Sequence, residues 1–322
     1  MSPVTEPDLD AEYRQVREEC GLIDRPDRSW IRIDGPDAAE FLQGQVTNET
    51  EELDVGSGAY AALLDRKGHL QADMRVLRLG EDSFLVDTEQ ATGQILFKHL
   101  TMYKIGRKVE VEQTDRALLS LVGPGSYGVT GLAPGPEHAF TEAVIAGADC
   151  LVATTVFGLD VICEPEKADA VRAQLVSDRA VPVSGAATEI LRVERGLPRF
   201  GFDMTEANMP AEAGIVERAV SFTKGCYIGQ EPVARLHYKG RPNRHLRGLK
   251  SQGQLVSGAR VSFKEKEVGT IGTTVLSPAS GRIALAILRK EAEPGSTVIV
   301  DSESGEVEAE VVELPFTGDI DA

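Results

Sequence analysis

The residues of this chain best equipped for chemistry stand eight in a row: Lys224, Gly225, Cys226, Tyr227, Ile228, Gly229, Gln230 and Glu231. They combine a cation, a thiol, a phenol, an amide and a carboxylate with two glycines, a mixture that no hydrophobic core requires. Glycine reaches positive φ without steric cost, so the pair marks a sharp turn or a close backbone approach. A thiol beside Lys224, and beside Arg235 if the chain folds back, has the electropositive surroundings that lower a cysteine pKa. Such a thiol can act as a nucleophile, sense oxidation, or transiently hold iron, sulfur or a partner's thiol. The competing reading is a half-buried cysteine filling space under a tight turn. A second candidate pair is Arg192 and Glu194, which a strand would point to one side and a helix would separate by about 200°. The arginine fork suits bidentate pairing with a carboxylate, and a surface salt bridge is the plainer alternative.

Charge narrows the partners. The 322 residues carry a net −17, which argues against direct nucleic-acid binding, because phosphate contacts need lysine and arginine. Yet seven Lys or Arg lie between Lys224 and Lys250 against the single acid Glu231, so this window holds +6 and the rest of the chain −23. An anionic ligand near the motif would explain the island, as would a solvated face balancing acidic neighbours. Cys20, Cys150, Cys163 and Cys226 form no C-x-x-C pair, so neither a zinc site nor a thioredoxin-type pair is expected. His237 and His245 lack a third partner, and no metal is assigned. No run approaches the roughly 18 apolar residues of a membrane span. The start, Met1 to Asp10, is acidic and lacks a signal-peptide pattern, which makes the cytoplasm the default.

Periodicity supplies the elements that must hold these residues. A helix is expected over Ala11–Cys20, a strand over Trp30–Asp34 and a helix over Asp37–Gln45. Strands at Ala59–Leu64, His69–Leu79 and Phe84–Asp87 precede a helix, Gln90–Leu100, and a strand, Val109–Gln113. A second β/α pattern has strands at Ala117–Val122, Cys150–Thr155 and Leu159–Cys163, then a helix over Glu166–Val176. Glu189–Gly196 reads as helical turns before a long irregular run, Leu197–Gly214, of the kind that is usually functional or a linker. Beyond a boundary near 240–246, short β-like runs alternate with Gly, Pro and Ser turns, as in a small antiparallel barrel or sandwich.

These segments together resemble the glycine-cleavage T-protein superfamily and, within it, the YgfZ-type folate-binding proteins. The resemblance rests on Gly21-Leu22-Ile23-Asp24, Gly35-Pro36-Asp37-Ala38, Phe41 to Asn48, Leu64 to Leu70 continuing to Asp73, and Leu191 to Pro198. Lys224 to Glu231, followed by Ala234-Arg235, matches the signature of the YgfZ branch. The resemblance implies an α+β fold of three domains in a ring around a central cavity that binds tetrahydrofolate or a one-carbon or polyglutamated derivative. Residues 1–48 with 116–240 would form the first α+β domain, 49–115 a second inserted into it, and 241–322 an antiparallel β-barrel. Folate contacts would come from Arg192, Glu194, Lys224, Gly225, Tyr227, Gly229, Gln230, Glu231 and Arg235, with Cys226 a functional thiol. Tyr227 would stack on the pterin or pack, and Gln230 and Glu231 would meet its edge or cap a following helix.

Aminomethyl transfer would need a carboxylate beside the folate nitrogens. The first region where the resemblance places one runs from Asp87 to Gly93 and has no acid at the aligned position; in the second, Leu159 follows Gly158 where glutamate is expected. Glu89 and Asp160 stand nearby as substitutes. The reading that follows is a monomeric folate-binding accessory protein that assists assembly or repair of iron–sulfur enzymes, with those enzymes or their assembly factors as partners. Any effect on tRNA modification would then be indirect. The alternative is a tetrahydrofolate-dependent aminomethyltransferase or demethylase.

Overall fold

A computed structural model describes residues 8–302 and 305–317; of the acidic start, residues 1–7 lie outside the described residues. The fold is two α+β lobes and a closed six-stranded antiparallel barrel.

The first lobe is built on a six-stranded sheet in the order Val181–Pro182, Gly21–Asp24, Ala117–Val122, Gly158–Cys163, Ala148–Thr155, Phe140–Ile145. Only its first pair is parallel. The second lobe is a five-stranded antiparallel sheet in the order Gly58–Leu64, Leu70–Gly80, Ser83–Glu89, Arg28–Asp34, Glu110–Thr114. Residues 28–48, which the sequence reading groups with the first lobe, therefore lie in the second. The reason is side-chain alternation. Ile31 and Ile33 point to one face and complete a core with Phe41 and Leu42 of the helix Ala38–Gln45 and with Leu96 and Leu100 of the helix Gln90–Tyr103. Trp30 points the other way and packs with Leu77 and Leu85 against Leu118 and Ile162 of the first sheet, joining the two lobes.

The barrel strands run Arg244–Ser251, Arg260–Phe263, Lys266–Ser277, Gly281–Arg289, Thr297–Ser302 and Gly305–Val312. Closure leaves no unpaired strand edge, which a short sheet of this kind would otherwise expose. Between barrel and lobes runs one apolar core, with Ala62, Leu64 and Leu70 from the second sheet, Val193, Phe200, Met204, Tyr227 and Val233 from the connecting chain, and Leu246, Ile283 and Leu285 from the barrel.

Two elements have weak sequence signatures. The edge strand Phe140–Ile145 buries none of its residues fully, so its pattern carries little apolar alternation. The helix Gln230–Lys239 begins inside the chemical motif and carries Pro232 in its first turn, where the missing N–H costs nothing.

The loop entering that edge strand stores a cost. His138 has φ 69° and a side chain only 13% exposed, and neither ring nitrogen has a hydrogen-bond partner among the described residues. Burial lowers its pKa to about 4; Glu137 opposes the shift, and Arg75 and Arg218 add to it. The unfolded chain takes up this proton from about pH 6.5 downward and the folded chain does not until about pH 4. Stability is therefore lost as pH falls through that window, by up to about 2 kcal/mol between pH 6.5 and 5. Asparagine accepts the left-handed backbone and does not titrate. Urea melts of His138→Asn are expected to show a shallower acid limb than the wild type, and an unchanged limb would contradict this assignment.

Candidate functional site

A cavity of 650 Å³ that carries many charged side chains opens where the two sheets, the helix Gly185–Glu194 and the irregular segment after it converge. The paired strands Gly58–Leu64 and Leu70–Gly80 bring in Tyr60 and Asp73; the first sheet brings Ser120 and Asp160; Glu89, Arg192, Arg199 and Arg218 close it.

Behind and along its lining runs a chain of alternating charges. Asp160 Oδ2 meets Arg75 Nη1 at 2.7 Å, and Arg75 Nε meets Asp87 Oδ1 at 2.8 Å. Asp87 Oδ2 is 2.8 Å from Arg28 Nη2, and Arg28 Nη1 is 3.0 Å from Glu89 Oε1. Glu89 Oε2 is in turn 2.7 Å from Arg199 Nη2, which also pairs with Asp27. Burial pushes the Asp87 carboxyl up, but the guanidiniums of Arg75 and Arg28 outweigh it and leave the pKa at about 2. These acids are neutralised and rigid.

Asp73 is different. Its Oδ2 accepts a 2.7 Å hydrogen bond from the Tyr60 hydroxyl, while Oδ1 is buried with no partner among the described residues. Burial raises its pKa above the ordinary aspartate value, against the opposing effects of the Tyr60 hydrogen bond and the Arg28 charge. Tyr60 is itself fixed. Asn48 Nδ2 donates to its carbonyl at 2.8 Å, and the Arg218 guanidinium lies 5.1 Å from its ring centroid while pairing with Glu137. A carboxyl held at one oxygen and open at the other, with a raised pKa, is suited to exchanging a proton with a bound ligand.

Asp73 was detectable as an oddity. Leu70, Ala72, Met74 and Val76 are buried and alternate with Gln71, Asp73 and Arg75, so the polar face of this strand had to meet solvent or a site. Asp73 lines the same cavity as Glu89 and Asp160, the two acids near the aligned positions.

Of the residues singled out from sequence, Arg192 lines this cavity, with its donors engaged by Glu189, Asp203, Thr273 and the Leu197 carbonyl. Glu194 lies across the helix, fully buried, and accepts from Tyr13 and Ser277, so it ties the N-terminal helix Leu9–Glu18 to the barrel. Lys224 is buried, and its ammonium donates to the carbonyls of Gln43 at 2.8 Å, Val46 at 2.7 Å and Asn48 at 2.7 Å. Burial lowers its pKa to about 8, opposed by Glu49 and Glu51. Gly225 and Cys226 are exposed and line neither this cavity nor the smaller pocket nearby. Tyr227, Gly229, Gln230 and Glu231 line that second pocket, and Arg235 is exposed on its helix. None of the basic residues from Lys224 to Lys250 lines the central cavity.

Two α+β lobes with an acid-bearing cavity between them, followed by a closed barrel, define a T-protein-like fold. The chain belongs to the glycine cleavage T-protein family: residues 3–224 match the GCVT N-terminal domain and residues 244–317 the glycine cleavage T-protein C-terminal barrel domain. It is 29% identical to an aminomethyltransferase of Rubrobacter xylanophilus over 98% of this chain and 87% of that protein. A Halothermothrix orenii aminomethyltransferase is 28% identical over 98% and 93%. The crystal structure of glycine cleavage system aminomethyltransferase T from Bartonella henselae superposes with a TM-score of 0.88, at 25% identity, covering 98% of this chain and 91% of that one. Among the described residues no helix is long and apolar enough to cross a membrane, and no cluster of side chains could hold a metal ion.

Proposed function

We propose that the central cavity binds a tetrahydrofolate and that Asp73 serves one-carbon or aminomethyl transfer there. The observation that carries this reading is the buried, unpartnered Oδ1 of Asp73, whose other oxygen is held by the Tyr60 hydroxyl. The lining fits the ligand. Carboxylates of Asp73, Asp160, Glu89 and Asp27 match the donor-rich edge of a reduced pterin, and Arg199 and Arg218 match its glutamate carboxylates. Bound, the folate supplies the nitrogens that accept the one-carbon group. Asp73 in its ionised form takes a proton from such a nitrogen, Tyr60 keeps the carboxylate oriented, and the ion-paired network holds the surrounding side chains in place. Relatives named aminomethyltransferase, matched over nearly their whole length, support the same reading. Titration of the purified chain with tetrahydrofolate, followed by a coupled assay with an aminomethyl or methylamine donor, tests it. Saturable binding with turnover is expected; binding without turnover for any donor would remove the transfer step.

One observation favours a second reading, the folate-binding accessory protein for iron–sulfur enzymes. Cys226 is exposed on a glycine-flanked loop outside the cavity, so a filled cavity leaves the thiol accessible. On this reading Cys226→Ala fails to restore iron–sulfur enzyme activities in a deletion strain while keeping tetrahydrofolate affinity within a few fold. Steady turnover that survives Cys226→Ala would sink it.

A further inference from the structure

The motif builds a pocket of its own. This pocket, of 390 Å³, lies between the turn that contains Arg66 and the first turn of the helix Gln230–Lys239, with Tyr103 at its edge. Two glycines let these parts meet. Gly229 has φ 84°, and a Cβ there would lie 2.5 Å from the Asp65 carbonyl oxygen. Gly68 also has φ 84°, and a Cβ there would press on Pro232. The turn between them is fixed, because Asp65 Oδ1 accepts from the Lys67 and His69 amides at 2.8 and 2.9 Å.

Three features of this pocket favour an anion. The helix is ten residues long and no side chain caps its first turn, so its positive end faces the pocket, with Glu231 as the acid of that turn. Tyr227 is 7% exposed and lines the pocket, and its hydroxyl has no hydrogen-bond partner among the described residues. Burial raises the Tyr227 pKa to about 12, which keeps the phenol a donor. Arg66 is exposed at the rim and makes no ion pair among the described residues. Glu231 opposes these groups from its exposed position in the same turn.

We propose that this pocket is a second binding site, for the carboxylate or phosphate group of a metabolite-sized ligand, separate from the central cavity. Tyr227 donates to the oxyanion, the helix N-terminus supplies partial positive charge, and Arg66 closes over it.

Isothermal titration of the full chain with inorganic phosphate, and separately with glutarate, distinguishes the two oxyanion sources. At least one probe is expected to bind at a single site whose affinity falls about tenfold or more in Arg66→Ala and in Tyr227→Phe. Glu231→Gln is expected to tighten it. Saturating tetrahydrofolate is expected to leave this binding in place, and Arg66→Ala to leave tetrahydrofolate affinity unchanged. Thermal melts confirm that each variant folds, and the exposed Arg66 carries the test if Tyr227→Phe does not. No binding of either probe, binding untouched by Arg66→Ala, or full displacement by tetrahydrofolate would each overturn the proposal.

Discussion

Asp73→Asn is expected to bind tetrahydrofolate within a few fold of the wild type and to lose turnover by about 10²–10⁴. The substitution keeps the shape and the acceptor for the Tyr60 hydroxyl, which approaches Oδ2 at 2.7 Å, but removes the group that can take a proton. A loss confined to kcat, with binding retained, separates this role from a merely structural one, which would move both together or lower the melting temperature. The pH profile gives a second readout. Burial raises the Asp73 pKa, so the protonated, inactive form persists to higher pH than it does for a free aspartate near 3.9. The acid limb of kcat/KM is therefore expected to lie above that value. Tyr60→Phe removes the hydroxyl that favours the carboxylate and should move the limb further toward neutral pH. A limb that stays put in Tyr60→Phe, or turnover retained by Asp73→Asn, would assign the chemistry to another group.

The second large effect concerns the motif lysine and falls on stability. Lys224→Met is expected to destabilise the fold by about 2–4 kcal/mol. Three short hydrogen bonds join its ammonium to the carbonyls of Gln43, Val46 and Asn48, at and just beyond the end of the helix Ala38–Gln45. A helix C-terminus leaves carbonyls unpaired and carries partial negative charge, so one buried cation satisfies both needs. Methionine fills the volume but leaves the three acceptors buried without donors. What is regained by no longer burying a charge offsets part of the loss, which is why the range stays below the sum of three hydrogen bonds. Denaturant midpoints at pH 7 measure it. A change under half a kcal/mol would mean that water replaces the ammonium without penalty.

The two results would divide one sequence motif from the cavity chemistry, and this division shows what a linear reading can carry. Alternation in Trp30–Asp34 correctly set which side chains share a face, because strand geometry fixes that locally. It could not say which sheet the strand joins, since Phe84 and Val86, the cross-strand partners of Ile33 and Ile31, are more than fifty positions away. The six barrel strands were legible for the same local reason, as Gly, Pro and Ser turns punctuate them. Arg192 and Glu194 illustrate the site problem. Their spacing allowed one shared side or two opposite ones, and only the helix Gly185–Glu194 decides that one reaches the cavity and the other the barrel seam. Lys224 looked like a ligand-binding cation because its own neighbours are polar, while the carbonyls that occupy it lie some 180 residues earlier. Asp73 is marked in the sequence only as a polar residue of an alternating strand, and its significance comes from what surrounds it in space.

The apolar core that runs from Ala62 and Leu70 through Val193 and Tyr227 to Leu246 and Ile283 has a consequence for inheritance as well as for folding. The natural seam for recombination lies between residues 224 and 244, where the two family matches leave a gap. Yet side chains from both sides of that gap interlock in a single packed cluster. A chimera that takes its barrel from a relative would have to bring complementary residues at Leu246, Ile283 and Leu285, or leave voids against Val193 and Tyr227. The barrel is therefore not a detachable module. Calorimetry is expected to record one transition for the whole chain, because lobes and barrel share this packed cluster.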